Sequence, residues 1–266
     1  MRLIPLLLTA GLLLAADEDK KALCAPPPDK ASPSLPAKLM KGMGDVNFPI
    51  TTSNPEAQKF FNQGVAQMHS FWAREAERSF LQAAALDPEA AMPWWGVAMV
   101  AVGDFRPQFQ IEAADEIMGK SLNTNPRVTR AVEQAQKLVA RKGTELEKLY
   151  IEAIAARRNL KSKTPTADYN NVLRKLIAGH PNEVEARLYL ALQTMRGFEL
   201  PSHEAREGTM EAVGILRKLR DEMPDHPGVH HFIIHAWEGS LFATDAEASA
   251  RKYATLAPEI PHALHM

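Results

Sequence analysis

The histidines of this chain are unevenly distributed along its sequence. Six of the nine histidines lie in the last 41 residues. They are His226, His230, His231, His235, His262 and His265. His231 and His235 are four residues apart, so they share one face if this segment is helical, and Glu238 extends that face. His265 follows His231 by 34 residues.

Several imidazoles together with a carboxylate have the donor chemistry of a transition-metal site. Such donors suit Zn, Cu, Fe or Ni, and the sequence does not choose among these ions. We expect a divalent-metal site formed by His231, His235 and His265, completed by His262 or Glu238. The alternative is that these histidines only pack or form hydrogen bonds between neighbouring helices, in which case no cofactor is bound.

The sequence signatures of common enzyme classes are missing. Residues 119–121 read Gly-Lys-Ser, like the end of a phosphate-binding loop, but Ala114 stands where that motif needs its first glycine. His203 begins His-Glu-Ala-Arg-Glu, which lacks the second histidine of a zinc-protease helix. The single cysteine, Cys24, precedes a proline-rich stretch and is a poor candidate for a nucleophile. We therefore assign no catalytic residue and favour a binding protein over an enzyme.

The charge distribution argues against a nucleic-acid partner. The formal net charge is −1, and lysine and arginine are interspersed with aspartate and glutamate. Binding to a phosphate backbone requires clustered basic residues, which this chain does not have.

The N-terminus has the pattern of an export signal. Arg2 is followed by an apolar run over residues 3–14 and by a small-residue pair at 15–16. This pattern predicts a cleaved signal peptide over residues 1–16 and a periplasmic or secreted protein. The apolar run is too short to span a bilayer comfortably, so we expect no membrane span after cleavage. The proline-rich residues 17–49 are predicted to form a flexible spacer.

From Asn54 onward the sequence favours helices. Asn54-Pro55 has the pattern of an N-cap followed by proline in the first turn. Thr144 and Glu147 have the spacing of a capping box. Apolar residues recur three and four positions apart in several segments, and strand-like alternation is missing. The predicted fold class is therefore all-α.

The segment 57–90 resembles a tetratricopeptide repeat (TPR). Small, aromatic and turn residues fall where that repeat places them, at Gly64, Ala76, Phe80, Ala83 and Pro88. Towards the end of the chain, prolines 224 and 258 are 34 residues apart, which is the TPR period. Residues 104–160 fit the period poorly. The resemblance implies a TPR-like superhelix of helical hairpins with a degenerate helical middle section.

Several motifs together resemble one family of bacterial exported TPR proteins, mostly uncharacterised. The motifs are HSFWAREAERSF at 69–80, MPWWGVAM at 92–99, ELEKLYIEA at 145–153, HPGVHHFIIHAWE at 226–238 and APEIPHALHM at 257–266. The resemblance covers residues 50–266, which we expect to form the repeat domain. A last unit that stops at Met266 leads us to expect a domain incomplete at its C-terminus.

The resemblance also implies a function. In TPR proteins the first helix of each unit lines a concave groove, so the protein is expected to bind a peptide or protein segment there. The residues placed on that face by the repeat register are Phe61, Met68, His69 and Trp95, together with His231, His235 and Glu238. The alternative function is a divalent-metal-binding protein or metal-dependent enzyme that uses the histidine cluster.

Overall fold

Eleven α-helices make up most of the part of the chain that the structure, a computed structural model, describes. The described residues are 36–101, 105–107, 110 and 126–266. The predicted signal peptide and residues 17–35 of the predicted spacer lie outside them. The helices are α1 (Pro55–His69), α2 (Ala73–Leu86), α3 (Met92–Val100), α4 (Pro126–Lys142), α5 (Glu145–Arg157), α6 (Pro165–Gly179), α7 (Val184–Thr194), α8 (Thr209–Glu222), α9 (Pro227–Ala236), α10 (Glu247–Leu256) and α11 (Pro261–His265).

The all-α prediction is confirmed for these described residues, where the only β-type pairing is one isolated bridge between Phe198 and Ala205. None of the described helices combines the length and the apolar character that crossing a membrane requires.

Local capping chemistry sets where the helices begin. The Asn54 side chain accepts hydrogen bonds from two first-turn amides of α1, and Pro55 occupies the first turn. Thr144 and Glu147 form the predicted capping box at the start of α5. Each cap satisfies backbone N–H groups that have no partner inside the helix.

Successive helices pack against one another along the chain, and α1 also packs against α9. Two glycines allow close approach around the Phe80 ring. A Cβ added at Gly64 would lie 2.6 Å from that ring, and one added at Gly96 would lie 2.5 Å from it. Both helices that carry these glycines can therefore contact one aromatic side chain of α2.

Residues 36–52, which we call the N-terminal strap, are packed rather than free. Met43, Val46 and Phe48 are buried. Gln58 binds the strap backbone twice, donating to the Phe48 carbonyl oxygen at 2.8 Å and accepting from the Ile50 amide at 2.9 Å. The prediction of a flexible spacer is therefore wrong for residues 36–49. The strap stays ordered because it buries apolar side chains and because α1 side chains satisfy backbone groups that would otherwise be left unpaired.

The strap also changes the expected groove. Phe48 packs against Phe61, Trp95 and Tyr150, with ring centroids 5.5, 5.8 and 5.1 Å away. The four residues predicted to line an open groove are instead fully buried, with exposed fractions of 0% at Phe61, Met68 and His69 and 1% at Trp95. The four positions that the expected repeat register assigns to an open groove are covered, in the described residues, by the protein itself.

Candidate metal centre

Two helices bring three imidazoles together. His231 and His235 lie one turn apart on α9, and His262 lies at the start of α11. The Nε2 atom of His231 is 3.1 Å from Nε2 of His235 and 3.0 Å from Nε2 of His262. One ligand atom from each of the three residues can be chosen so that all lie within 4.8 Å of one another.

The other ring nitrogens of the α9 pair are held by protein groups. Nδ1 of His231 donates to the backbone carbonyl oxygen of His69, which can only accept. Nδ1 of His235 lies 2.9 Å from Oε2 of Glu238 and donates to that carboxylate. Gln110 donates to the same carboxylate oxygen at 3.0 Å, which helps to fix its position.

These partners determine the tautomer of each ring. A neutral imidazole that carries its proton on Nδ1 presents a lone pair at Nε2. His231 and His235 therefore point two lone pairs at each other across 3.1 Å. This contact is repulsive unless a positive charge, either a proton or a metal ion, lies between them.

Burial disfavours an added proton on His231 and on His262. Burial, followed by the neighbouring His235, lowers the pKa of His231 well below its ordinary value. Burial, followed by His235 and His265, also lowers the pKa of His262. Both rings are thus kept in the neutral form, which is the form that binds metal ions. The hydrogen bond from His235 lowers the pKa of Glu238, so this carboxylate stays ionised.

Aromatic side chains surround the three histidines. The Phe71 ring centroid lies 4.4, 5.1 and 5.7 Å from those of His231, His235 and His262. Tyr253 stacks on His231 at 4.8 Å. Sequence reasoning missed Phe71 and Tyr253. Phe71 has a positive φ of 55°, which is uncommon for a bulky residue. No pattern in the sequence indicates this backbone conformation or the contact of Phe71 with the histidines.

The structure brings together two of the three predicted principal ligands and replaces the third. His265 is exposed, its ring centroid is 6.2 Å from that of His262, and it is not part of the converging group. The 34-residue spacing predicts that His231 and His265 occupy equivalent positions on two helices. His262 and His265, however, are three residues apart on α11, so their side chains point in directions that differ by roughly 60°. His262, which was predicted only to complete the site, therefore takes the place predicted for His265. Glu238 supports His235 from behind and is not one of the converging ligands.

A second buried cluster lies next to the first. Glu185 on α7 is 2.9 Å from Nε2 of His69 and 3.3 Å from Nε2 of His226. Burial alone would raise the pKa of Glu185, but His69 and His226 outweigh it and lower this pKa below its ordinary value.

The Nδ1 atoms of the two histidines indicate whether this second cluster is a metal site or a hydrogen-bonded carboxylate. The Nδ1 atoms of both His69 and His226 are buried without a hydrogen-bond partner. A histidine that binds a metal nearly always donates its other ring N–H to an acceptor. We therefore interpret this cluster as an ionised carboxylate that accepts two imidazole N–H groups. Its link to the first cluster is the His69 carbonyl oxygen, which holds His231.

Comparisons with protein-family models, with curated proteins and with solved structures return no match.

Proposed function

We propose that this protein binds a divalent transition-metal ion through the Nε2 atoms of His231, His235 and His262. The observation that carries the proposal is the convergence of three imidazole nitrogens, two of which have their tautomers fixed by hydrogen bonds behind them. Such outer partners are a regular part of histidine metal sites.

Two of the three nitrogen separations fit one ion. Two nitrogens bound to a tetrahedral ion with bonds of about 2.0–2.1 Å are separated by roughly 3.3–3.4 Å. The observed 3.0 and 3.1 Å separations need only a small outward movement to reach that value. Three imidazoles occupy three of the four coordination positions of a tetrahedral ion and leave one for another donor. Such a donor would approach from the side of the site where His262 lies, because this residue is only half-buried.

The direct test is metal binding by protein purified without a histidine tag. We expect one equivalent of Zn²⁺ per chain in equilibrium dialysis, and Co²⁺ should give the absorption bands of a tetrahedral site. His262→Ala should weaken binding most cleanly, because this residue is half-buried and its removal does not open the core. His235→Ala should weaken binding as well.

Two matched variants serve as controls. His180→Ala removes an exposed histidine far from the cluster in sequence and should leave binding unchanged. His265→Ala should also retain most of the affinity. The proposal fails if the wild-type protein binds no Zn²⁺, or if His262→Ala binds it as tightly as the wild type does.

We further propose that the helices form TPR-like repeats, that the chain belongs to the exported family it resembles, and that it is exported. The packing of Gly64 and Gly96 on Phe80 supports the repeat assignment, since small residues at these positions let neighbouring helices approach closely.

Binding of a peptide or protein segment is our second candidate function. It is favoured by the way α1 holds the strap. Gln63 accepts from the Met40 amide at 2.7 Å and donates to the Lys38 carbonyl oxygen at 2.9 Å, as Gln58 does further along. These two glutamine side chains contact backbone groups of the strap and not its side chains. A synthetic peptide with the sequence of residues 36–52 should compete with the strap and increase its cleavage by protease. Unchanged cleavage at saturating peptide would refute this second candidate.

A further inference from the structure

The buried carboxylate of Glu185 connects the two segments that meet at the metal centre. Glu185 is the second residue of α7. Its Oε2 atom lies 2.9 Å from Nε2 of His69, the last residue of α1. Its Oε1 atom lies 3.3 Å from Nε2 of His226, which directly precedes α9. One side chain therefore sets the distance between the end of α1 and the beginning of α9.

The contacts continue along α9 to the metal ligands. A Cβ added at Gly228 would lie 2.8 Å from Cγ of the His69 ring, so the first turn of α9 rests directly on that ring. About one turn further on, His231 donates from Nδ1 to the His69 carbonyl oxygen. This carbonyl group belongs to the last turn of α1 and has no amide partner inside its own helix, which leaves it available to His231. His69 thus contacts α9 both with its side chain and with its backbone.

Stability alone does not explain the Glu185 cluster. The exposed fractions of His69, Glu185 and His226 are 0%, 4% and 6%. Withdrawing a carboxylate from water is costly, and the unpaired Nδ1 atoms of the two histidines add to that cost. Buried ionic groups often contribute no more stability than apolar side chains of similar volume, and the best-attested reason for retaining them is that they fix register. The cluster therefore points to a requirement for a defined placement of α9.

The metal centre has such a requirement, because its ligands are sensitive to rotation and sliding of α9. Successive residues of a helix differ by about 100° in direction and by about 1.5 Å in height. A shift of that size would move His231 and His235 away from His262. It would also break the hydrogen bond between His231 and the His69 carbonyl oxygen, and the His231 proton could then occupy Nε2, where it blocks the metal.

We propose that Glu185 is a positioning residue for the metal centre. By holding His69 and His226 together, it seats α9 on the end of α1 and keeps the proton of His231 on Nδ1. This inference rests on the proposed function, and Glu185 itself is not one of the converging ligands.

The test combines Zn²⁺ affinity with the absorption spectrum of the Co²⁺-loaded protein, which reports the geometry around the bound ion. Glu185→Leu removes both hydrogen bonds with a side chain of similar size. We expect its Zn²⁺ affinity to fall about tenfold, the lower end of the range for outer partners of a metal site, and its Co²⁺ bands to change. Glu185→Gln still accepts from one histidine and can donate to the other, if that ring moves its proton to the unpaired Nδ1 atom. It should therefore lose less affinity than Glu185→Leu.

Gly228→Ala tests the same seating with the carboxylate cluster intact. The added Cβ pushes α9 away from the His69 ring, so Zn²⁺ affinity should fall. Gly214→Ala on α8 meets open space and should leave the affinity unchanged. If circular dichroism shows that Glu185→Leu does not fold, Gly228→Ala decides, and wild-type Zn²⁺ affinity in this variant overturns the proposal.

Leu138→Ala controls for loss of stability alone, since Leu138 is buried on α4, which packs against α3 and α5. It should lower the melting temperature and still bind Zn²⁺ within twofold of the wild type. The positioning role is overturned if Glu185→Leu binds Zn²⁺ within twofold of the wild type, or if Glu185→Gln or Leu138→Ala loses as much affinity as Glu185→Leu. These outcomes leave the metal site itself in place, whereas a wild-type protein that binds no Zn²⁺ refutes the proposed function.

Discussion

Removing the carboxylate behind His235 tests the reasoning about tautomers without touching a ligand. Glu238→Ala deletes the acceptor that lies 2.9 Å from Nδ1 of His235. The ring is then free to carry its proton on Nε2, where it blocks the metal. Loss of such an outer partner typically lowers metal affinity 10–100-fold. Because 53% of the Glu238 side chain is exposed, water replaces part of the lost interaction. We therefore expect a loss of Zn²⁺ affinity at the lower end of that range, about tenfold or ~1.4 kcal/mol.

The variant Glu238→Gln separates the hydrogen bond to His235 from the negative charge of Glu238. Its amide oxygen still accepts from Nδ1 of His235, but it has no negative charge to favour the metal-bound state. We expect a loss of affinity smaller than that of the alanine variant. Zn²⁺ affinity is measured in competition with a chromophoric chelator.

Glu247→Ala is the matched control, since Glu247 is an exposed carboxylate that pairs with Arg251 on α10. Glu238 does not fix the tautomer of His235 if Glu238→Ala binds Zn²⁺ within twofold of the wild type while His262→Ala does not.

Three further predictions concern the strap, the core and the buried carboxylate. Gly44→Ala, at a φ of +89°, places a Cβ 2.6 Å from the first proline of α9, so both metal affinity and melting temperature should fall; Gly214→Ala, inside α8 and facing open space, should leave metal affinity unchanged and raise the melting temperature, because alanine favours a helix over glycine. Gly64→Ala forces a Cβ to within 2.6 Å of the Phe80 ring and should lower the free energy of unfolding by about 1–3 kcal/mol in urea titrations; no change would contradict the close packing. The folded-state pKa of Glu185 is lowered, so its stabilising contribution is complete above the ordinary glutamate pKa and is lost as the pH falls through the folded-state value. The stability difference between wild type and Glu185→Gln should therefore narrow on acidification, and a pH-independent difference would contradict an ionised carboxylate.

Local sequence alone determined the helices and part of the histidine site. Asn54 and the Thr144–Glu147 box cap helices as predicted, because capping involves residues only a few positions apart. His231 and His235 share a face for the same reason, since four residues make about one helical turn. Interactions within one turn of helix can be derived from spacing.

Interactions between distant segments were decided by the tertiary structure. Whether His262 or His265 meets His231 depends on how α11 is rotated against α9, and a repeat period does not specify that angle. The strap shows the same limit. Its prolines and polar residues indicate a free spacer, yet Phe48 finds a pocket among aromatic rings of α1, α3 and α5.

The unpaired oxygen of Gln193 was likewise invisible in the sequence. Nothing in the sequence distinguishes this glutamine from Gln58 or Gln63, whose amides form hydrogen bonds with the strap and with side chains of α1 and α2. A side chain's type fixes which hydrogen bonds it can make, and only the packed chain decides which partners are within reach. The sequence therefore determined the helices and the shared face of the α9 histidines, while the fold selected His262 as the third imidazole of the cluster.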